Sequence, residues 1–232
     1  MKTVQVTDKF KIYVTNEIEQ WRADTFWTKE PETIEWIKSF GRNDTFFDVG
    51  ANIGIYSLYC ASVHSENLIY SFEPARCNFI RMMQNIELNK FDNIIALPIG
   101  IRDVNMIDTF GLIDDKIGHS GSQINSITDK YYLLPIFSLD FWSDFDMPTH
   151  VKIDIDGMEM DVIRGMAKTL MSGDMKSCLV EINDNKDKII KLFRGFGYTN
   201  NNRFNKLENH SSVRRAKEGI KAENVIFCRR QT

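Results

Sequence analysis

The residues with the most chemical content run from 46 to 54 and read Phe-Phe-Asp-Val-Gly-Ala-Asn-Ile-Gly. An apolar run ends in Asp48, glycines follow at Gly50 and Gly54, and an apolar helical segment starts at Ile55. Strand, glycine turn and helix in this order form a nucleotide-type site, because glycine lacks the Cβ that would block a positive φ or a close approach. Glu73 closes the next apolar run in Ser-Phe-Glu-Pro. It lies roughly 20 residues past the turn, where a carboxylate can accept from both hydroxyls of a ribose. Together the turn and the carboxylate point to an adenosine-containing ligand. The GxGxxG fingerprint of a dinucleotide is absent, and Asp48 would repel a pyrophosphate yet meet an ammonium. S-adenosylmethionine, which carries an ammonium and a sulfonium, is therefore expected in preference to NAD.

A second constellation lies at 151–156. Lys152, Asp154 and Asp156 alternate with Val151, Ile153 and Ile155, so on a pleated strand the three charges project to one side. Charge buried on a central strand is costly unless paired. Three charges at the ligand-bearing end of a parallel sheet are better explained as an active site than as a structural pair, and Glu181, ending the following strand, can join them. Transfer of the methyl group of S-adenosylmethionine would need the acceptor held in line and, were it a hydroxyl, its proton removed. Asp154 or Asp156 could orient the hydroxyl or act as base, and Lys152 could tune a neighbour's acidity or stabilise oxyanion charge. His119, in Gly-His-Ser-Gly-Ser, is the other base candidate. His64, His150 and His210 have no supporting constellation. Asp154, Glu181, Asn183 and Asp184 could in principle hold magnesium, but carboxylates there bind hydroxyls equally well, and no metal is expected.

These residues need a scaffold. Apolar strands at Thr45–Val49, Leu68–Phe72, 94–99, 150–155 and 178–182 alternate with helices at 53–63, 75–88, 158–171 and 186–196. This pattern argues for a parallel sheet covered on both faces. Ahead of it stand a strand at 10–14 and a helix at 31–40, with Pro31 in its first turn and Gly41 past its end. Trp21, Trp27 and Trp36 are read as core or lid packing. Residues 100–149 are too long for a plain connection; they hold a hairpin candidate (105–112), a Gly/Ser turn (118–122) and a polar stretch (123–129), and are where acceptor specificity would be built. Two final strands, 198–199 and 224–229, read as an antiparallel pair. A single domain spanning 1–232 is expected, with 1–44 as an N-terminal extension.

Composition narrows the function classes. The 232 residues are 43% hydrophobic and 26% charged, with a net charge of −3, an ordinary soluble globular composition without the basic footprint of a nucleic-acid binder. The clusters Arg214-Arg215-Ala-Lys217 and Arg229-Arg230 are read as solvated surface. No apolar run approaches the ~20 residues of a membrane span, and the N-terminus has no signal core. Four scattered cysteines without a CxxC pair suggest reduced thiols and a cytoplasmic location. The oligomeric state is not legible; a homodimer is one option.

The ordered set Asp48-Val-Gly-Ala-Asn-Ile-Gly54, Phe-Glu-Pro, Asn85-Ile-Glu-Leu-Asn89, Lys152-Ile-Asp-Ile-Asp-Gly-Met-Glu159 and Val180-Glu181-Ile resembles the FkbM-type S-adenosylmethionine-dependent methyltransferases. The resemblance covers 45–182 and departs from the family at Asp156, where Glu is usual. It implies a Rossmann-like class I methyltransferase fold, an α/β seven-stranded, mostly parallel sheet with helices on both faces, and most often O-methylation of sugars or secondary metabolites. By resemblance Asp48, Gly50, Asn52 and Gly54 line the methionine end of the cofactor and Glu73 holds the ribose. Asp103 is a candidate for the adenine amino group, or simply a turn former. The acceptor is expected to be a carbohydrate or other small molecule. The rival readings are N-methylation of a peptide or nucleic acid, and a non-catalytic cofactor-binding module; an NAD-dependent dehydrogenase is more distant.

Overall fold

A computed structural model describes residues 1–112, 116–120, 123–124, 128–143, 145–155 and 157–230. The chain opens with an antiparallel pair, β1 (Lys2–Gln5) and β2 (Lys11–Val14). Three helices follow, α1 (Glu17–Asp24), α2 (Phe26–Lys29) and α3 (Pro31–Lys38), with Asn16 capping α1 by accepting from the Glu19 amide at 2.9 Å. β1, α1 and α2 were not foreseen. The buried residues of α1 are Glu19 and Ala23, so no apolar stripe announces it.

The central part alternates as expected: β3 (Thr45–Val49), α4 (Ile55–Val63), β4 (Leu68–Phe72), α5 (Arg76–Asn89) and β5 (Ile94–Leu97). A second sheet follows, built from β6 (Gly100–Ile101), β7 (Met106–Gly111), β8 (Gln123–Ile124) and β9 (Tyr131–Phe137) in the order β6-β9-β7-β8. After α6 (Leu139–Trp142) come β10 (His150–Ile153), α7 (Glu159–Arg164), α8 (Ala167–Met171), β11 (Ser177–Ile182), α9 (Lys186–Gly195) and β12 (Tyr198–Thr199). A 3-10 turn (Phe204–Lys206), α10 (Ser211–Lys217) and β13 (Glu223–Arg229) close the chain.

The main sheet has seven strands in the order β12-β13-β11-β10-β3-β4-β5. Neighbours from β11 to β5 are parallel, and β13 runs antiparallel to both β11 and β12. Alternation splits the apolar residues between the two faces. Phe46, Leu179 and Ile226 pack with residues of α3, α4 and α5, whereas Phe47, Ile153 and Val180 pack with residues of α7, α8 and α9. Burying each phenylalanine contributes roughly 1.5–3 kcal/mol, so a one-residue register slip in β3 would be strongly resisted. Parallel pairing brings the carboxyl ends of β3, β4, β10 and β11 to one edge, and the chemistry gathers there.

Three expected elements are corrected. The strand at 94–99 stops at Leu97 because Pro98 has no amide to donate, and Gly100–Ile101 instead pairs with β9. The helix at 158–171 divides into α7 and α8 at Gly165, where an added Cβ would lie 2.2 Å from the Arg102 carbonyl oxygen. The hairpin at 105–112 is a single strand, β7, whose partners β8 and β9 come from later in the chain. Among the tryptophans only Trp36 is core; Trp21 and Trp27 are about half exposed. Cys60 and Cys178 are buried. No helix among the described residues is long and apolar enough to cross a membrane.

Candidate active site

The turn after β3 takes positive φ at Gly50 (83°), Asn52 (55°) and Gly54 (84°), the left-handed region that glycine and asparagine tolerate. A Cβ on Gly50 would sit 2.0 Å from the Asp154 carbonyl oxygen, and one on Gly54 would sit 2.8 Å from Met82 Cγ. The close approaches that demand glycine are thus to the chain itself, and Gly50 presses the turn directly against the end of β10. The Gly50 and Ala51 amides donate to the Phe72 carbonyl at 3.0 and 3.1 Å, which fixes the turn to the end of β4. Asn85 carries it from below, donating to the Ile53 carbonyl at 3.0 Å while accepting from the Tyr13 amide at 2.9 Å.

Glu73 sits at the same edge, buried. Its Oε2 accepts from the Asn52 amide at 2.7 Å and its Oε1 from the Ala75 amide at 2.8 Å. Burial pushes its pKa up to about 7 against the opposing pull of these two amides. An ionised carboxylate has about four acceptor positions, so two remain for the hydroxyls of a ribose. Asp48 accepts from Ser57 Oγ at 2.6 Å, and Ser57 accepts from Ser71 Oγ at 2.7 Å. Its other oxygen, Oδ1, is buried without a partner, and burial raises its pKa. An unpaired buried acceptor is expensive, and an ammonium would satisfy it. The turn, the orphaned Asp48 oxygen and the open acceptor positions of Glu73 are compatible with S-adenosylmethionine.

The segment 117–119 lies across this turn. The Ile117 carbonyl accepts from Asn16, the Gly118 carbonyl from both Nε and Nη2 of Arg22, and the His119 carbonyl from Asn52 at 3.0 Å and Asn78 at 3.1 Å. His119 is therefore placed on the cofactor side. Its ring Nδ1 is buried and unpartnered, and its described contacts do not include Asp154 or Glu181. Asp103 Oδ2 accepts from Arg164 Nε at 3.1 Å.

Lys152 and Asp154 are brought together as the alternation required. Lys152 is buried and donates to Asp154 Oδ2 at 2.6 Å, with its ammonium 5.1 Å from the centre of the Tyr56 ring. It is the register partner of Asp48 on β3. Burial would depress its pKa, but the charges of Asp154, Asp48 and Glu30 outweigh that and raise it. Burial acts on Asp154 in the opposite sense, and Lys152 overcomes it, leaving Asp154 below the ordinary carboxylate range. Glu181 is pushed up to about 8, first by the negative charge of Asp154 and then by burial, with Arg215 opposing. Asp154 and Glu181 thus behave as a pair in which the second proton leaves late. Asp156 lies outside the described residues.

Arg215 and Glu30 complete the network. Arg215 Nη2 lies 2.6 Å from Glu181 Oε1 and 3.2 Å from Glu30 Oε1. Glu30 also pairs with Lys29 at 2.8 Å and accepts from Tyr56 Oη at 2.8 Å. The basic cluster at 214–217 is therefore corrected: Arg215 is a buried counter-ion of the site. Its signal was hidden because the partner carboxylates come from the residue preceding α3 and from β11, far apart in sequence. Glu30, directly before Pro31, reads as a helix start and carried no other mark. Of the oxygens considered for magnesium, Asn183 donates to Glu159 at 2.9 Å and Glu181 faces Arg215. No metal-holding group of three His, Cys, Asp or Glu occurs among the described residues.

Comparison with known proteins agrees with this geometry. The family described as "Methyltransferase FkbM domain" matches residues 48–202. Methyltransferase 1 of Beauveria bassiana is 24% identical, over 72% of this chain and 76% of that protein. Hexuronic acid methyltransferase AglP of Haloferax volcanii is 26% identical, over 77% of this chain and 72% of that protein. Among solved structures, a putative rRNA-methylase from Clostridium thermocellum superposes with a TM-score of 0.51 at 11% identity, covering 95% of this chain and 99% of that one. At that identity the likeness speaks for the sheet and its order alone. Motifs, site and matches converge: this chain belongs to the FkbM methyltransferase family and is an S-adenosylmethionine-dependent methyltransferase.

Proposed function

We propose that the enzyme methylates a hydroxyl oxygen of a sugar or sugar-bearing small molecule, with the Asp154–Glu181 pair as the proton acceptor. The observation that carries this reading is the contact between the two halves of the site. Gly50 of the cofactor turn packs on the Asp154 carbonyl, with no room for a methyl group between them, and Glu181 stands beside Asp154 at the end of the adjacent strand. A proton-accepting carboxyl pair therefore borders the place where the methyl donor is held.

S-adenosylmethionine supplies a methyl group on a positively charged sulfur. Asp48 Oδ1 would take its ammonium, and Glu73 its ribose hydroxyls. Lys152 fixes Asp154 and keeps it ionised, while Arg215 fixes Glu181. Glu181, its pKa pushed up to about 8, can accept the acceptor's hydroxyl proton once its own has left, as the new carbon–oxygen bond forms. Asp154, side chain about a quarter exposed, can orient that hydroxyl. Acceptor specificity would be built in the 100–149 segment. The relative AglP, a methyltransferase of hexuronic acid by its name, lends support to a carbohydrate acceptor.

The test is methyl transfer to a panel of sugars and nucleotide-linked sugars, with the product's linkage read by NMR. An ether is expected, and Glu181→Gln should lower kcat by about 10²–10⁴-fold without weakening cofactor binding. Methylation of nitrogen, or full activity in Glu181→Gln, would end the proposal.

A further inference from the structure

A cavity of about 380 Å³ opens one strand beyond Glu181, between α9, the 200–206 segment and the start of β13. It lies at the carboxyl edge of the sheet, because Glu223 and Asn224 are the register partners of Ile182 and Glu181. Its walls carry three cations, Lys186, Arg194 and Lys206, against one carboxylate, Glu223. Glu223 is already paired with Lys186. Arg194 donates to the amide oxygen of Asn200 at 3.4 Å, and neither Arg194 nor Lys206 has an ion-pair partner among the described residues. His210, only 6% exposed, also lines the cavity and keeps its Nε2 without a hydrogen-bond partner. In a chain of net charge −3, two uncompensated cations and an orphaned imidazole nitrogen around one cavity are a surplus that an anion would satisfy.

We propose that this cavity is an acceptor subsite that takes the anionic group, a carboxylate or a phosphate, of an acidic sugar. The inference rests on the carbohydrate reading above for the word sugar, and on the cavity alone for the anion. Asn200, Asn201 and Asn205 supply amides that can meet ring hydroxyls beside the anion. Asn224 in the cavity wall is the register partner of Glu181, and a ligand anchored here would have to extend past Asn224 to present a hydroxyl to the carboxyl pair.

The experiment is calorimetric binding of D-glucuronate, D-glucose 6-phosphate, inorganic phosphate and D-glucose to the full chain with S-adenosylhomocysteine present. It compares wild type, Arg194→Gln/Lys206→Gln, and the charge-matched control Lys2→Gln/Lys9→Gln, all at exposed or half-buried positions. The acidic sugars should bind about tenfold or more tightly than glucose, as a charge-assisted hydrogen bond implies. The double variant should erase that preference and the control should keep it. The stronger of the glucuronate and glucose 6-phosphate responses tells carboxylate from phosphate, and weaker binding of inorganic phosphate is expected because it lacks the ring. Equal binding of glucose and the acidic sugars, or a preference that survives in the double variant, overturns the subsite. Intact anion preference without methyl transfer to any sugar supports the subsite and overturns the sugar-acceptor function instead.

Discussion

Replacing Arg215 with methionine separates structural from chemical roles in the network. Arg215 is buried between Glu30 and Glu181, and breaking a buried pair by removing one partner costs about 3–5 kcal/mol. Glu30 keeps Lys29 at 2.8 Å and the field of Lys152, so above pH 8, where Glu181 is ionised, most of the orphaned charge falls on Glu181 and the lower figure applies. At about 2–4 °C per kcal/mol for a chain of this size, Arg215→Met should lower Tm by roughly 6–12 °C. The chemical effect is separate. Arg215 is the group that restrains the pKa of Glu181, already raised to about 8 by Asp154 and burial. Without it the acid limb of the kcat–pH profile should move up by about one pH unit or more, one unit corresponding to about 1.4 kcal/mol. Scanning calorimetry and single-turnover methyl transfer between pH 6 and 10 read both effects, and Arg215→Lys should restore part of each because it returns the charge without the fork. A fall in Tm with an unmoved acid limb would show that Glu181 is not the proton acceptor.

Other perturbations test the cofactor side. The folded-state pKa of Glu73 is raised from 4.5 to about 7, so its contribution to stability is full below 4.5 and is lost as pH rises through 7. For the ligand-free enzyme that loss is about 3 kcal/mol, and Glu73→Gln should flatten the difference in chemical-denaturation profiles; identical pH slopes would contradict the assignment. Gly50→Ala places a Cβ 2.0 Å from the Asp154 carbonyl at a φ of +83° and should cost about 3 kcal/mol or more, with cofactor binding lost in calorimetry; a well-folded, binding variant would refute the contact. Asp48→Asn removes the charge facing the ammonium and should weaken S-adenosylmethionine about tenfold or more while the acceptor's KM is unchanged. Equal cofactor affinity would remove Asp48 from the site.

The alternating apolar strands and helices made the seven-stranded sheet readable, since period-2 and period-3.6 patterns are local properties of β3, β4, α5 and β11. The glycine turn was legible for the same reason: the positive-φ residues Gly50, Asn52 and Gly54 lie in one short segment after β3, and Glu73 directly follows β4. What stayed hidden was built by distant residues. Glu30 and Arg215 are 185 positions apart and meet only through the fold; each alone has an ordinary surface reading. β7 joins strands from after the 113–115 stretch, so its partner could not be found in its own neighbourhood. The adenine reading of Asp103 followed its position after the third strand, while the fold supplies Arg164 as its partner.

The central claim is that a carboxyl pair beside the glycine turn removes the proton of an acceptor hydroxyl. Its most direct measurement is the single-turnover rate of methyl transfer to a sugar hydroxyl in Glu181→Gln and wild type, with S-adenosylmethionine affinity measured on the same samples. The account predicts a rate lowered by about 10²–10⁴-fold, an unchanged cofactor Kd, and a wild-type rate rising with pH toward a plateau above 8. A variant that transfers methyl at the wild-type rate, or a wild-type rate independent of pH from 6 to 9, would contradict it.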